Sequence, residues 1–246
     1  MSRRSIYGDL ARYYDTIYSF KDYDFEATRL AVLIRRYKRS PGRRLLEVAC
    51  GTGKHAKALS KRFEVTATDI NPGMLAVARK NVPGVTFRRA DMTKLDLGRK
   101  FDVITCLFSS IGYVKTHANL RKTLEGIARH LVPGGVAIIE PWFSRKAFHP
   151  GAPFAGTFGN GDLRIARVTM SRVRGLLSII DMHYLVAHRG GSVRHFVDRH
   201  ELALFEPDRF LAIMRAAGLK ARFLTRGLMP DRGLYVGVRE PEGRSR

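Results

Sequence analysis

Two cysteines among 246 residues, Cys50 and Cys106, each inside an apolar stretch, exclude a disulfide scaffold and a Cys-based zinc site. No His/Asp/Glu cluster has metal-ligand spacing; His195 with Asp198 and His200 reads as a strand with exposed polar positions, so no metal is expected. Apolar runs such as 136–139 and 202–205 are far too short to cross a membrane. The opening Met-Ser-Arg-Arg precedes no apolar signal-peptide region, so the expected location is the cytoplasm. Acids are scarce: 22 Asp and Glu face 44 Lys and Arg, 32 of them Arg, for a net charge of +22. That excess favours anionic partners. The basic residues are nevertheless scattered in short clusters, with no basic tail and no aromatic-spaced nucleic-acid motif. Hydrophobic residues at 45% and charged residues at 27% are ordinary for one globular domain with, at most, a small appendage.

Residues 5–18 can form a helix rich in tyrosine (Tyr7, Tyr13, Tyr14, Tyr18). Asp22 or Asp24 can cap a second helix, whose Phe25, Leu30, Leu33, Ile34 and Tyr37 follow helical spacing until Ser40-Pro41-Gly42 stops it. Strand patterns at 43–50, 63–69, 85–89, 101–108 and 136–140 then alternate with helical patterns at 54–61, 71–81 and 117–131; Pro133-Gly134-Gly135 reads as a turn. Such alternation predicts an α/β fold with a parallel sheet and helices on both faces. From about residue 154 the style changes to extended segments at 163–171, 176–187 and 195–205, the last two joined at Gly190-Gly191-Ser192. This predicts an inserted antiparallel sheet. A helix at 207–218 and strands at 221–225 and 234–239 close the chain. The expected organisation is a helical cap over 1–40, a core over 41–142, a β insert over 143–206, and a helix and β-hairpin over 207–246 that complete the core.

Glu47-Val-Ala-Cys-Gly51-Thr-Gly53, followed by Ala56, fits the strand–turn–helix fingerprint G-x-G-x-x-G/A. Gly51 allows the tight turn, and Gly53 lets a ligand approach the backbone. Glu47 lies inside the first strand. Asp69 ends the second, where its carboxylate can accept both hydroxyls of a ribose, and Asp91 ends the third, within reach of an adenine amine. Any one of these acids reads as a helix cap or a solvated loop residue. Three at successive strand ends point to an adenosine-type cofactor, because ligands of open α/β sheets bind there. No second mononucleotide-binding half follows, which argues against a nicotinamide dinucleotide.

These residues, together with T-D-I-N-P-G-M-L, A-D-M, F-D-V-I-T-C, L-V-P-G-G-V and the closing G-L-Y-V-G-V, resemble the class I S-adenosylmethionine-dependent methyltransferases. The resemblance covers about residues 43–140 and the last two strands. It implies a Rossmann-like fold with a mostly parallel seven-stranded sheet, and S-adenosyl-L-methionine as cofactor. Ala49, Gly51 and Gly53 would cradle its methionine part, Asp69 would hold the ribose, Ile70 and Met74 would pack on the adenine, and Asp91 and Met92 would recognise its edge. Tyr23, Glu47 and Leu107 complete the implied cofactor set.

A narrower resemblance runs nearly end to end. Tyr13-Tyr-Asp-Thr-Ile-Tyr18, Lys21-Asp-Tyr23, Cys106-Leu-Phe-Ser-Ser-Ile-Gly112, Glu140-Pro-Trp-Phe143 and Arg232-Gly-Leu-Tyr-Val-Gly-Val238 are similar to the nucleotide-linked amino-sugar N,N-dimethyltransferases of macrolide sugar biosynthesis. It implies a small-molecule amine as acceptor, a dTDP-amino-deoxyhexose. Tyr14 and Tyr113 would be catalytic, and Trp142, Arg167, His183 and Arg232 would bind substrate. Those enzymes carry a histidine directly after Ser-Ser-Ile-Gly, where this chain has Tyr113. A phenol is a poor base near neutrality, with an unperturbed pKa of about 10, so the substitution leaves the proton acceptor open. Tyr7, Tyr13 and Tyr18 read as plain helix packing, and His55 as a helix-start residue. The alternative is an RNA or protein methyltransferase using the basic surface, weakened because Phe108-Ser109-Ser110-Ile111 stands where base-amino methylating enzymes carry an Asn/Asp-Pro-Pro-aromatic tetrapeptide. A cofactor-binding but inactive regulatory module is the third reading, with Tyr113 its one foothold. A homodimer is left open.

Overall fold

The computed structural model describes residues 11–240. Tyr7 and the first half of the expected N-terminal helix lie outside them. Eleven strands and six α-helices are described: α1 (Ala11–Ile17), α2 (Tyr23–Tyr37), β1 (Arg44–Val48), α3 (Lys54–Ser60), β2 (Glu64–Asp69), α4 (Pro72–Asn81), β3 (Thr86–Arg89), β4 (Phe101–Cys106), α5 (His117–His130), β5 (Leu131–Ile139), β6 (Phe154–Gly159), β7 (Leu163–Arg174), β8 (Leu177–His188), β9 (Arg194–Ala203), α6 (Pro207–Ala216), β10 (Leu219–Leu224) and β11 (Leu234–Arg239).

Seven strands form one sheet in the order β10-β11-β5-β4-β1-β2-β3. β3, β2, β1, β4 and β5 are parallel, and β11 runs antiparallel between β10 and β5. The most apolar strands stand at the centre: β4 is buried along its whole length, and β1 from Leu45 onward. Alternation sends neighbouring side chains to opposite faces. Leu46, Val48 and Ile104 join α5 and α6 in one cluster with Leu124, Phe210 and Tyr235, while Leu45 and Val103 join α2, α3 and α4 with Leu30, Ile34, Leu59 and Leu75. The Rossmann-like architecture expected from the motifs is what the chain forms.

The insert is a separate antiparallel sheet, β6-β7-β8-β9. Ile165, Tyr184, Val186 and Phe196 make its buried face, and Tyr13 and Ile17 of α1 pack on it. Tyr13 also places its hydroxyl 2.9 Å from His188 Nε2. The N-terminal segment therefore divides, α1 on the insert and α2 on the core. β6 escaped the sequence because Phe-Ala-Gly-Thr-Phe-Gly, with two glycines, has little strand propensity. The Pro133-Gly134-Gly135 turn is absorbed into β5 as an irregularity, with Gly134 at φ 76° and a register shift against β4.

Both cysteines are buried and free. Burial raises both thiols, Cys106 to about 12, so neither is a thiolate at neutral pH. Among the described residues no helix is long and apolar enough to cross a membrane, and no group of three metal-ligating side chains converges.

Candidate active site

The loop after β1 carries three left-handed residues, Ala49 (φ 58°), Gly51 (φ 56°) and Gly53 (φ 78°), which turn the chain sharply into α3. At a non-glycine such as Ala49 this conformation costs about 1–2 kcal/mol. The two glycines serve different ends. A Cβ on Gly51 would meet nothing within 4 Å, so its open side faces a cavity, whereas one on Gly53 would lie 3.1 Å from the Phe87 ring and 3.2 Å from Ala78. Gly53 is thus held to glycine by helix–strand packing as well as by its left-handed backbone. Asp69, at the end of β2, accepts from Gly51 N and Asn71 N, each at 2.8 Å, and so fixes the loop. Burial raises its carboxyl despite those bonds.

One cavity is lined by Tyr14, Tyr23, Glu47, Ala49, Gly51, His55, Leu107 and Phe108. A second, of about 110 Å³, is lined by Ala49, Ile70, Asp91, Met92 and Tyr113. Asp91 accepts from both N and Oγ1 of Thr93 at 2.8 Å. Met74 is fully buried and outside these linings, so the structure does not bring it to the expected adenine contact.

Behind the first cavity stands a buried polar chain that the sequence did not disclose. Lys21 Nζ donates to Glu26 Oε1 at 2.6 Å, Glu26 Oε2 lies 2.6 Å from His55 Nε2, and His55 Nδ1 lies 3.9 Å from Glu47 Oε1. His55 is thus a buried network member. Burial would raise Glu26, but the hydrogen bonds from His55 and Lys21 outweigh it and hold the carboxyl below its usual value. Glu47 has no such relief: burial, then the charge of Asp69, pushes it up to about 8. Its Oε2 is buried without a hydrogen-bond partner. That orphaned oxygen, the open side of Gly51 and the largely apolar second cavity fit S-adenosylmethionine, a cationic amino acid joined to adenosine.

A third cavity, of about 230 Å³, lies between the loops after β4 and β5, the insert and the loop before β11; Tyr18, Phe108, Ser109, Tyr113, Trp142, Arg167, Met182, His200 and Arg232 are among its walls. Phe108 also lines the first cavity and Tyr113 the second, so the third cavity shares a wall with each. The β4 loop holds Phe108 and Ser109 at φ 50° and 66°. Glu140, fully buried, offsets that strain by accepting from Phe108 N at 2.7 Å and Met229 N at 3.2 Å. Ser109 Oγ donates to Pro141 O and accepts from Arg232 Nη1 at 2.8 Å.

Two arginines line this cavity, Arg167 from β7 of the insert and Arg232 from the loop before β11. The Arg232 guanidinium lies 4.6 Å from the Trp142 ring centroid, and that of Arg167 lies 5.0 Å from Phe154 and 5.1 Å from Phe158. Trp142 Nε1 donates to Ser178 Oγ at 2.9 Å, which fixes the indole. Nε of both arginines is buried without a hydrogen-bond partner. Tyr18, expected only to pack, lines this cavity; burial raises its hydroxyl, and Arg167 hydrogen-bonds to it.

His183 does not join the cavity. It is exposed on the outer face of β8, stacked on His195 of β9 with 3.2 Å between Nδ1 and Nε2. β9 alternates strictly, with Phe196, Asp198, His200 and Leu202 buried and His195 and Arg199 exposed. The expectation of exposed polar positions therefore holds for His195 and fails for Asp198 and His200. His200 Nδ1 lies 2.6 Å from Tyr113 Oη, and Asp198 Oδ2 lies 3.0 Å from His200 Nε2.

A family model described as a methyltransferase domain matches residues 45–135. The dTDP-3-amino-3,6-dideoxy-alpha-D-glucopyranose N,N-dimethyltransferase of Streptomyces fradiae is 37% identical over 242 residues, 97% of this chain and 94% of that protein. The crystal structure of Streptomyces venezuelae DesVI superposes with a TM-score of 0.88 at 38% identity, covering 94% of this chain and 98% of that one. S-adenosylmethionine-bound CalS10, an amino pentose methyltransferase from Micromonospora echinaspora involved in calicheamicin biosynthesis, superposes with a TM-score of 0.83 at 34% identity, covering 92% and 96%. Fold, cavities and relatives agree: the chain belongs to the class I S-adenosylmethionine-dependent methyltransferases, in the group of the sugar N-methyltransferases.

Proposed function

We propose that the protein methylates the amino group of a nucleotide-linked amino sugar. The observation that carries this reading is the 230 Å³ cavity, which joins the cofactor cavities at Phe108 and Tyr113 and holds two arginines with unsatisfied, buried Nε groups. A space of that size suits a sugar and excludes a folded RNA or protein segment. Fixed guanidinium groups suit the diphosphate of a nucleotide carrier. S-adenosylmethionine supplies a methyl group already activated on a sulfonium, so the work left to the chain is alignment and the neutral state of the amine. Phe108, Tyr18 and Trp142 wall the cavity with aromatic surface, which disfavours the charged ammonium by desolvation. Tyr18 stays a neutral phenol there. Tyr14 packs its ring 4.6 Å from that of Tyr18 and carries the aromatic wall into the cofactor cavity.

The test is methyl transfer from labelled cofactor to a dTDP-3-amino-deoxyhexose, beside the same label offered to a host-cell extract split into small molecules, RNA and protein. Label on the sugar nitrogen, and in the small-molecule fraction, is the expected result. Label held by RNA or protein alone would overturn the reading. Arg167→Ala and Arg232→Ala should each raise KM for the nucleotide sugar by roughly ten- to a hundredfold, the worth of a charged hydrogen bond.

A further inference from the structure

We propose that Tyr113, His200 and Asp198 form a proton relay, in which the Tyr113 oxygen takes a proton from the acceptor ammonium and His200 receives the tyrosine's own. The inference rests on the amine-acceptor reading above and names the base that reading requires.

An amine at neutral pH arrives largely protonated, and its lone pair is available only after an N–H bond breaks. Among the described residues lining the acceptor cavity there is no carboxylate, and His200 is the one imidazole. Glu140 lies behind the wall with each oxygen already accepting a backbone N–H. Tyr18 is raised by burial, with the charges of Arg167 and Asp198 acting on it in opposite directions, and it is not hydrogen-bonded to an imidazole as Tyr113 is. Tyr113 shares the cavity wall with that imidazole and places its hydroxyl 2.6 Å from His200 Nδ1.

The local structure builds this contact. Residues 110–114 form one 3-10 turn after β4, packed against β9. Gly112 lets it approach: a Cβ there would lie 3.0 Å from Leu202 Cβ and 3.3 Å from Trp142 Cβ. Strand alternation then puts Asp198 and His200 on the buried face beside Phe196 and Leu202. Buried polar groups are costly where apolar ones would pack as well. Asp198 Oδ2, 3.0 Å from His200 Nε2, is placed so that its charge opposes the one the ring acquires when Nδ1 takes the tyrosine's proton.

The balance is simple. The ammonium N–H bond breaks and its electron pair stays on nitrogen; an O–H bond forms on Tyr113 as its former O–H proton moves to Nδ1. The result is a neutral amine and an imidazolium beside a carboxylate. One proton is released per methyl transferred and leaves to water with the product. The charged and titratable groups around this end of the cavity are Asp198 and His200 on β9, Arg167 on β7, Tyr184 on β8, and Tyr18, Tyr113 and Arg232.

The test is single-turnover methylation of a dTDP-amino sugar between pH 6 and 9 by the wild type, Tyr113→Phe, His200→Gln and Asp198→Asn, with cofactor affinity measured by calorimetry on each. At pH 7 Tyr113→Phe and His200→Gln should lose roughly a hundredfold or more in rate, within the range of general-base effects. The deficit should narrow as rising pH frees the amine without help. The double variant should be no slower than the slower single one, and Tyr113→His should recover much of the rate. A loss equal at every pH, or no loss in Tyr113→Phe with cofactor affinity intact, would overturn the relay while leaving the amino-sugar reading in place. A wild type that methylates no amino sugar would overturn both.

Discussion

Glu47 shows how one buried group ties stability, cofactor and pH together. An ordinary glutamate titrates near 4.3, while burial and the Asp69 charge push Glu47 up to about 8 in the folded chain. Between those values the native state holds a proton that the unfolded chain has lost, so stability falls as pH rises through the window and levels off above it. Glu47→Gln removes the titration. Its melting temperature should gain on the wild type at pH 8 relative to pH 5, and an equal difference at both would contradict the assignment. The same carboxylate has an oxygen with no donor. A cationic cofactor would pull it toward the ionised form, so wild-type affinity for S-adenosylmethionine should rise from pH 6 to 8 with proton release. Glu47→Gln should bind roughly tenfold or more weakly, with a flat pH profile; titration calorimetry in two buffers of different ionisation enthalpy measures both.

At the scale of elements, β11 links sheet edge to helix end. Arg239 Nη1 donates to Ala128 O at 3.0 Å and Leu131 O at 2.8 Å, carbonyls left over where α5 runs into β5. Arg239→Met should cost roughly 1–2 kcal/mol and lower the melting temperature by a few degrees, with kcat and KM unchanged because the site lies at the other end of the strands. This is also the scale at which the sequence was most legible. Period and glycine placement were enough to trace β1 to β5, the helices between them and two closing strands, because the central strands β1, β4 and β5 are rich in apolar residues and the turns between elements carry the glycines; that the final strand runs reversed came from the family resemblance. What stayed hidden depended on which face a polar residue turns. In β9 the two-residue spacing of Asp198 and His200, in phase with Phe196 and Leu202, was the available signal; grouping them with His195, which is out of phase, concealed it. His183 failed by the same rule, one residue out of phase with Met182 and Tyr184. Tyr18 and His55 had no local signal. Their surroundings come from the insert and from α2, residues distant in the chain that only the folded topology brings near.

At the scale of the whole molecule, the +22 charge and the cavity under the insert bear on different steps. A net positive field raises the local concentration of any polyanion, RNA included, without supplying a place to react. The cavity does the reverse: it offers a place to react, of a size that suits a sugar. Under the function proposed above a nucleotide-linked sugar satisfies both: its diphosphate would be drawn by the field and then paired with Arg167 and Arg232. The two contributions separate with salt. Steering acts on encounter and is screened over about 8 Å at physiological ionic strength, whereas the alignment of amine and methyl inside the cavity is not. Between low and high salt, kcat/KM for a dTDP-amino sugar should therefore fall roughly tenfold while kcat stays level, and cofactor affinity should not follow, because S-adenosylmethionine is itself cationic. Initial-rate kinetics across a potassium chloride series measure all three. A logarithmic slope steeper than about four, or a matching loss in kcat, would mean that many phosphates are contacted at once, and the acceptor would then have to be sought on the surface rather than under the insert.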